Sequence, residues 1–348
     1  MTRTIIHYFT GTGNTAHSVK MIAEQLQSNG HEVKICNVKK DVLPPDELVN
    51  YHIIAFPVLS WAAPVMMKQY VKRMPISEGA KIAILAVNGA VIRDGKIVKG
   101  FTGQALEEIS NILRRKKYDV FLTGNASFPD NWTQFFNPSK KEDAEIIFPL
   151  GEADVRQFIS GFIHEKRDTY RCGLWNKIWT YLTSILFGYI GRRVLGKFYI
   201  ADEHCTGCGI CERTCPAKTI RMSGKKPFWT STCEDCNRCI NLCPEQSIQV
   251  SVPLFILQSI INISLTVWTI WAILIYVPEW IQTNQVFLVC SEIIFIILAT
   301  IILLWLCIVP IDAFFRFLLR NINIRRFFSK SYTKRFRRYI APGFKPLK

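Results

Sequence analysis

The chain has 348 residues, a formal net charge of +16 and 49% hydrophobic residues. Such a length allows about two or three domains, and that much apolar material excludes a disordered polyelectrolyte. The charge is uneven: residues 312–348 hold eleven Lys or Arg against one acid, Asp312. A basic tail of this kind suits nucleic acid or an anionic membrane surface, and what precedes it decides between them. No signal-peptide pattern opens the sequence.

Residues 3–9 read as a buried strand, and Thr10-Gly11-Thr12-Gly13-Asn14-Thr15 follows at once. From Thr15 to about Ser28 apolar residues recur at helical spacing (Val19, Ile22, Ala23, Leu26), and Asn29-Gly30 stops the helix. Strand, Gly/Thr loop and helix start make an anion site. Backbone N–H groups and threonine hydroxyls donate, while Gly11 and Gly13 let the backbone come close. The loop has no Walker A lysine, and Ala16 stands where a dinucleotide fingerprint has its third glycine. A hydroxyl-rich loop without lysine suits a single phosphate monoester. The stretch resembles the flavodoxin phosphate loop, which implies that Thr10, Gly11, Thr12, Gly13, Asn14 and Thr15 hold the phosphate of FMN. It departs from that pattern at His7 and Val19, away from the phosphate donors.

Further strands are expected at residues 31–38, 51–58, 80–87 and 118–123. Helices are expected at 63–74, from 100 to about 116, and at 152–164. Five strands alternating with helices predict an α/β, doubly wound parallel sheet. In the flavodoxin-like order 2-1-3-4-5 the ligand sits at the carboxyl ends of the strands, between the first and the third. Three more loops are expected there, at residues 59–62, 88–90 and 124–132. An isoalloxazine ring needs flat apolar neighbours and backbone donors. Trp61 and Trp132 are the candidate stacking rings, with Trp61 ranked first, and Asn88-Gly89 is the candidate close backbone. Loop tryptophans serve equally often as packing residues.

Residues 166–198 form an aromatic-rich connector. Within it, 174–190 carries one charge, Lys177, and at 17 residues is short for a membrane span. Two placements stay open, packed on the α/β part or lying in a membrane interface. Two copies of C-x2-C-x2-C-x3-C-P come next. One is Cys205, Cys208, Cys211 and Cys215 before Pro216; the other is Cys233, Cys236, Cys239 and Cys243 before Pro244. A zinc site would use separated C-x2-C pairs or mix Cys with His, and a disulfide framework would need an oxidising compartment. Each run has the spacing of bacterial-type ferredoxins, in which the fourth Cys ligates the other cluster. That assigns Cys205, Cys208, Cys211 and Cys243 to one [4Fe–4S] cluster and Cys233, Cys236, Cys239 and Cys215 to a second. The remaining Cys36, Cys172, Cys290 and Cys307 read as small buried hydrophobes. Over roughly residues 1–250 the chain resembles the flavodoxin–ferredoxin fusions of the EFR type. The resemblance implies electron transfer with FMN and two [4Fe–4S] clusters.

Residues 252–277 carry no charge, and 286–309 carry only Glu292. A 26-residue helix is about 39 Å long, enough for a hydrocarbon core of roughly 30 Å. The loop 278–285 lacks Lys and Arg, and the basic tail follows the second segment. The expectation is a transmembrane helical hairpin with the redox parts and tail on the cytoplasmic side. Basic and aromatic residues directly after a span read as anchorage on anionic lipid, which displaces the nucleic-acid reading. Glu292 is either a functional group within the span or a solvated one near its outer end.

The expected organisation is therefore a flavodoxin-like FMN domain at 1–165, the connector at 166–198, a small α+β ferredoxin domain at 199–250, two membrane helices at 251–311 and a cytoplasmic tail at 312–348. The expected function is membrane-anchored electron transfer between FMN and the two clusters. The rival is a membrane-bound redox sensor or regulatory subunit. Expected partners are a redox protein as donor or acceptor, with a membrane oxidoreductase or a quinone as candidates, and membrane lipid. Nucleic acid is not expected. No residue set marks a catalytic acid, base or nucleophile, so enzyme and carrier both stay open.

Overall fold

The computed structural model describes residues 2–276, 314, 317–319 and 321–345. The first strand, β1 (Thr2–Tyr8), leads through the Gly/Thr loop into α1 (Asn14–Ser28) and then β2 (His31–Asn37). There follow β3 (Tyr51–Pro57), α2 (Val65–Arg73), β4 (Lys81–Arg93), β5 (Lys96–Lys99), α3 (Ala105–Arg115), β6 (Asp119–Pro129) and α4 (Lys141–Ile163). Strands β2, β1, β3, β4 and β6 pair in that order, all parallel. This is the doubly wound order expected. Alternate side chains of each central strand enter opposite cores, as a parallel sheet covered on both faces requires. Ile53, Ala55, Ala83 and Leu85 pack on α1 and α4. Ile54, Phe56, Ile82 and Ile84 pack on α2 and α3.

Several expected boundaries are corrected. Strand β4 does not end at residue 87. It continues to Arg93, so Asn88–Ala90 lies in strand rather than in a loop. The extension turns at Asp94-Gly95, both at positive φ (51° and 69°), and pairs antiparallel with β5. Asp-Gly at positive φ is the favoured two-residue hairpin turn. Strand β6 likewise runs through Gly124 to Pro129, alongside the extended β4. Helix α3 starts five residues later than expected, and α4 begins at Lys141 and contains Pro149.

The connector is α5 (Leu174–Leu186), a π-helical turn (Phe187–Gly191) and α6 (Arg192–Lys197). Its buried stripe is polar or small, with Thr180, Ser184, Gly188 and Arg192 one turn apart. Gln104 donates to the Lys177 carbonyl (2.9 Å) and to Thr180 Oγ1 (3.3 Å). Arg192 donates to the Cys233 carbonyl (2.7 Å) and pairs with Glu234 (3.0 Å), whose other oxygen accepts from the Met66 N–H. The connector thus packs on both the α/β part and the cysteine-rich part through its polar side, while Trp175, Ile178, Tyr181, Leu182 and Tyr189 face outward.

In the cysteine-rich part β7 (Tyr199–Ala201) pairs antiparallel with β10 (Ile248–Val250). Between them lie α7 (Ile210–Thr214), the hairpin β8 (Ile220–Ser223) and β9 (Lys226–Trp229), and α8 (Arg238–Leu242). Phe198, Tyr199, Ile220, Trp229, Ile240 and Ile248 make its core, against which Cys211, Cys215, Cys239 and Cys243 pack. Helix α9 (Val252–Tyr276) covers most of the first expected span, and α10 (Ile322–Phe328) belongs to the tail. The second expected span at 286–309, Glu292 and the loop 278–285 lie outside the described residues. Among the described residues no helix is long and apolar enough to cross a membrane.

One buried polar chain lies inside the α/β core. His7 Nδ1 meets Tyr70 Oη at 2.8 Å, and His7 Nε2 meets His52 Nδ1 at 3.0 Å. Burial lowers His52 from its ordinary 6.5 to about 4 and holds His7 well below 6.5, with His52 adding to the effect. Both rings stay neutral in the fold but would protonate near pH 6.5 in the unfolded chain. Between about pH 6.5 and 4 the unfolded state binds more protons, so stability falls as pH drops through that window. The apparent thermal midpoint, followed by circular dichroism, is expected to fall between pH 7 and 4.5. A His52→Gln chain should show a shallower fall, and an equal slope would contradict this origin.

Candidate functional site

Eight of the ten residues expected to meet a flavin border one cleft: Thr10, Gly11, Thr12, Asn14, Thr15, Asn88, Gly89 and Trp132. The cleft lies at the carboxyl ends of the central strands and encloses about 730 Å³, counting its open mouth. Thr10 Oγ1 accepts from the Gly13 N–H (3.2 Å), Thr12 Oγ1 from Asn131, and the Pro129 carbonyl from Asn14 (3.3 Å). The first turn of α1 carries no acid, so its N-terminal dipole is free of a competing negative side chain. Gly13 caps this helix at φ 112°, a conformation that glycine adopts without strain.

Gly13 and Trp61 do not border the cleft. The Trp61 ring packs edge-on against Trp179 of α5 at 4.7 Å. Trp132 stands at the cleft wall, whereas Trp61, ranked first from the sequence, does not. Its Nε1 donates to Asp235 Oδ2 (3.1 Å), and Tyr199 Oη donates to Asp235 Oδ1 (3.4 Å). Burial raises Asp235 to about 7, against the opposing pull of those two hydrogen bonds. Asp130, also on the wall, is raised by burial.

Asp235, Cys236 and Asn237 line the same cleft, so the second cysteine run forms part of its wall. A Cβ on Gly11 would stand 2.4 Å from the Cys236 carbonyl oxygen. Arg238 of α8 is buried and donates to the Gly11 carbonyl (2.8 Å), the Thr10 carbonyl and the Thr214 carbonyl (2.7 Å). No sequence spacing announces these residues; Asp235, Asn237 and Arg238 stand among the unspecified positions of the cysteine run, and Phe187, also on the cleft wall, belongs to the connector.

The cysteines fall into two groups. A second cavity is lined by Cys205, Cys208, Cys211 and Cys243. Burial pushes the Cys211 thiol up to about 12, and Cys205, Cys243 and Cys208 push it further in the same direction. Burial likewise raises Cys236 to about 12, with Cys215 among its neighbours, and raises Cys239 beside Cys236 and Cys215. Among the described residues no three His, Cys, Asp or Glu side chains converge on a single metal ion. Ligands of an iron–sulfur cluster bind different irons and stand apart around it, which the two groups suit.

The tight approach of Gly11 generates a test. Gly11→Ala forces a methyl group against backbone, an overpacking that costs about 1–3 kcal/mol. The apparent thermal midpoint is expected to fall by several degrees. Gly173→Ala, where an added Cβ meets nothing within 4 Å, should leave it unchanged.

Residues 204–248 match the 4Fe-4S dicluster domain family. No curated protein matches the chain. Among solved structures it is similar to a short-chain flavodoxin associated with a non-canonical PDU bacterial microcompartment, at 12% identity over 45% of this chain and 99% of that one, with a TM-score of 0.28. A flavodoxin from the domain Archaea gives 17% identity, 45% and 98% coverage and a TM-score of 0.29. An azoreductase from Bacillus anthracis str. Sterne gives 12%, 46% and 98%, and 0.33. Strand order, rather than these scores, carries the flavodoxin-like fold. The chain joins that fold to a 4Fe-4S dicluster domain.

Proposed function

We propose that the chain is an electron-transfer protein with FMN in the cleft and two [4Fe–4S] clusters, working at a membrane. The supporting observation is the shared wall: Cys236 borders the cleft that the phosphate loop also borders. FMN, when bound, exchanges electrons one or two at a time, and each cluster exchanges one. Thr10, Thr12, Thr15 and the loop N–H groups would hold the phosphate, and Trp132, tethered by Asp235, would flank the ring. Cys233, Cys236, Cys239 and Cys215 would hold the cluster next to the cleft. Cys205, Cys208, Cys211 and Cys243 would hold the other. Cys236 borders the cleft, Cys239 and Cys211 are electrostatic neighbours, and Cys208 is exposed. In this reading the two groups lie in series between cleft and surface, with the exit for a redox partner near Cys208.

Membrane attachment is supported by the uncharged stretch 252–277, by the nearly uncharged 286–309 and by the outward apolar face of α5. In this reading the redox parts and the tail share the cytoplasmic side, and a membrane oxidoreductase or a quinone is the candidate partner.

The deciding experiment is the absorption spectrum of detergent-purified protein, prepared without oxygen, before and after dithionite. Flavin bands together with a broad bleachable absorbance are expected. Trp132→Ala is expected to weaken flavin binding by roughly tenfold, in line with about 1 kcal/mol or more for a ring contact. Trp61→Ala should change it less than twofold. Clusters without flavin in the native chain would overturn the FMN reading, and release from membranes by 1 M salt alone would overturn the two-span anchor.

A further inference from the structure

Residues 333–344 run from the cysteine-rich part to the outside of the phosphate loop. Thr333 Oγ1 accepts from the Val250 N–H (3.1 Å) and donates to Gln249 Oε1 (2.9 Å). Arg337 Nε donates to the Pro138 carbonyl (2.8 Å), and the Tyr339 N–H donates to Asn241 Oδ1 of α8 (2.9 Å). Then the segment meets the loop itself. Tyr339 Oη donates to Asn14 Oδ1 (2.7 Å), and the Ala341 N–H donates to the Thr12 carbonyl (2.9 Å). A Cβ on Gly13 would come within 2.6 Å of Phe344 and 2.9 Å of Ala341. The Phe344 ring also lies 5.7 Å from the Arg238 guanidinium. Tyr339 and Ala341 are buried, at 9% and 1% exposure, so this is packed interior.

A short loop with two glycines has much freedom to lose when it closes on a ligand. Here the Thr12 carbonyl, the Asn14 side chain and the outer side of Gly13 are each held by the strap. Ordering a loop before its ligand arrives removes part of the entropic cost of binding. We propose that residues 339–344 are positioning residues for the phosphate end of the cleft, so that the C-terminal strap makes the site selective for a phosphorylated flavin. The inference rests on the FMN reading above.

The test uses the full chain in detergent, with its flavin removed and its iron content verified. Tyr339→Phe deletes one hydroxyl, and Phe344→Ala deletes the ring against Gly13. Affinities for FMN and for riboflavin, which lacks the phosphate, are titrated by fluorescence. FMN affinity is expected to fall about 3- to 10-fold, the scale of one net hydrogen bond, while riboflavin affinity stays within twofold. A ratio of the two affinities equal to that of the native chain overturns the proposal, because a purely structural strap would lower both alike or neither. If Phe344→Ala loses iron, the nearly isosteric Tyr339→Phe carries the test alone. A native chain that binds neither flavin removes the FMN reading and the strap's role with it, whereas native binding with an unchanged ratio removes only the strap.

Discussion

The Arg238 guanidinium is the contact on which the arrangement depends. It is 3% exposed, in a position where an unpaired cation would be very costly. Burial lowers its proton affinity, and the neighbouring Cys236 and Cys215 raise it. Its donors reach carbonyls in two separate segments, the Gly/Thr loop and the end of α7. A single buried charge thereby ties the Gly/Thr loop to the second cysteine run. Thiolates ligating iron beside it would balance that buried charge. The α/β part and the cysteine-rich part are consequently one packed unit at this point, although each has its own apolar core.

The same electrostatics recasts the basic tail. Arg325 donates to the Leu319 carbonyl, Arg337 to Pro138, and Arg338 to the carbonyls of Thr333, Phe336 and Ile248. Burial lowers Arg325 and Arg338, while Cys205 and Cys243 respectively act in the opposite direction. These two arginines face the first cysteine group as Arg238 faces the second. Fixed positive charge close to an iron–sulfur site is one of the levers that set its potential. Part of the tail's charge is thus engaged by hydrogen bonds within its own chain.

How legible this was depends on the range of each interaction. The cysteine runs are legible because ligand spacing is local. The strand order follows from alternating elements, and the Gly/Thr loop lies at the strand-to-helix junction where it was expected. The hairpin at Asp94-Gly95 was equally open to reading, but an apolar run that thins after Val87 invites an early stop. Trp61 ranks first in the sequence because its loop follows β3, the strand beside the Gly/Thr loop, whereas Trp132 follows the edge strand β6. Only the tertiary partners Trp179 and Asp235 decide which ring reaches the cleft. Arg238 and Tyr339 act across separations of 227 and 325 residues, beyond any periodicity or motif.

The connector carries the last step of this reasoning. An amphipathic helix on a protein normally buries its apolar stripe and shows its polar one. Helix α5 does the reverse, because its inner partners are polar. Gln104 needs acceptors, and Glu234 needs the Arg192 cation that closes the stripe. Small side chains at Thr180, Ser184 and Gly188 then permit close contact, and Gly188 lies near Val65 of α2. The large residues have nowhere to go but outward. Phe187, one residue from that stripe, turns back to line the cleft. The same short segment therefore supplies a wall of the cleft and an apolar outer surface. The physical requirement of satisfying Gln104 and Glu234 in the interior is what generates that surface.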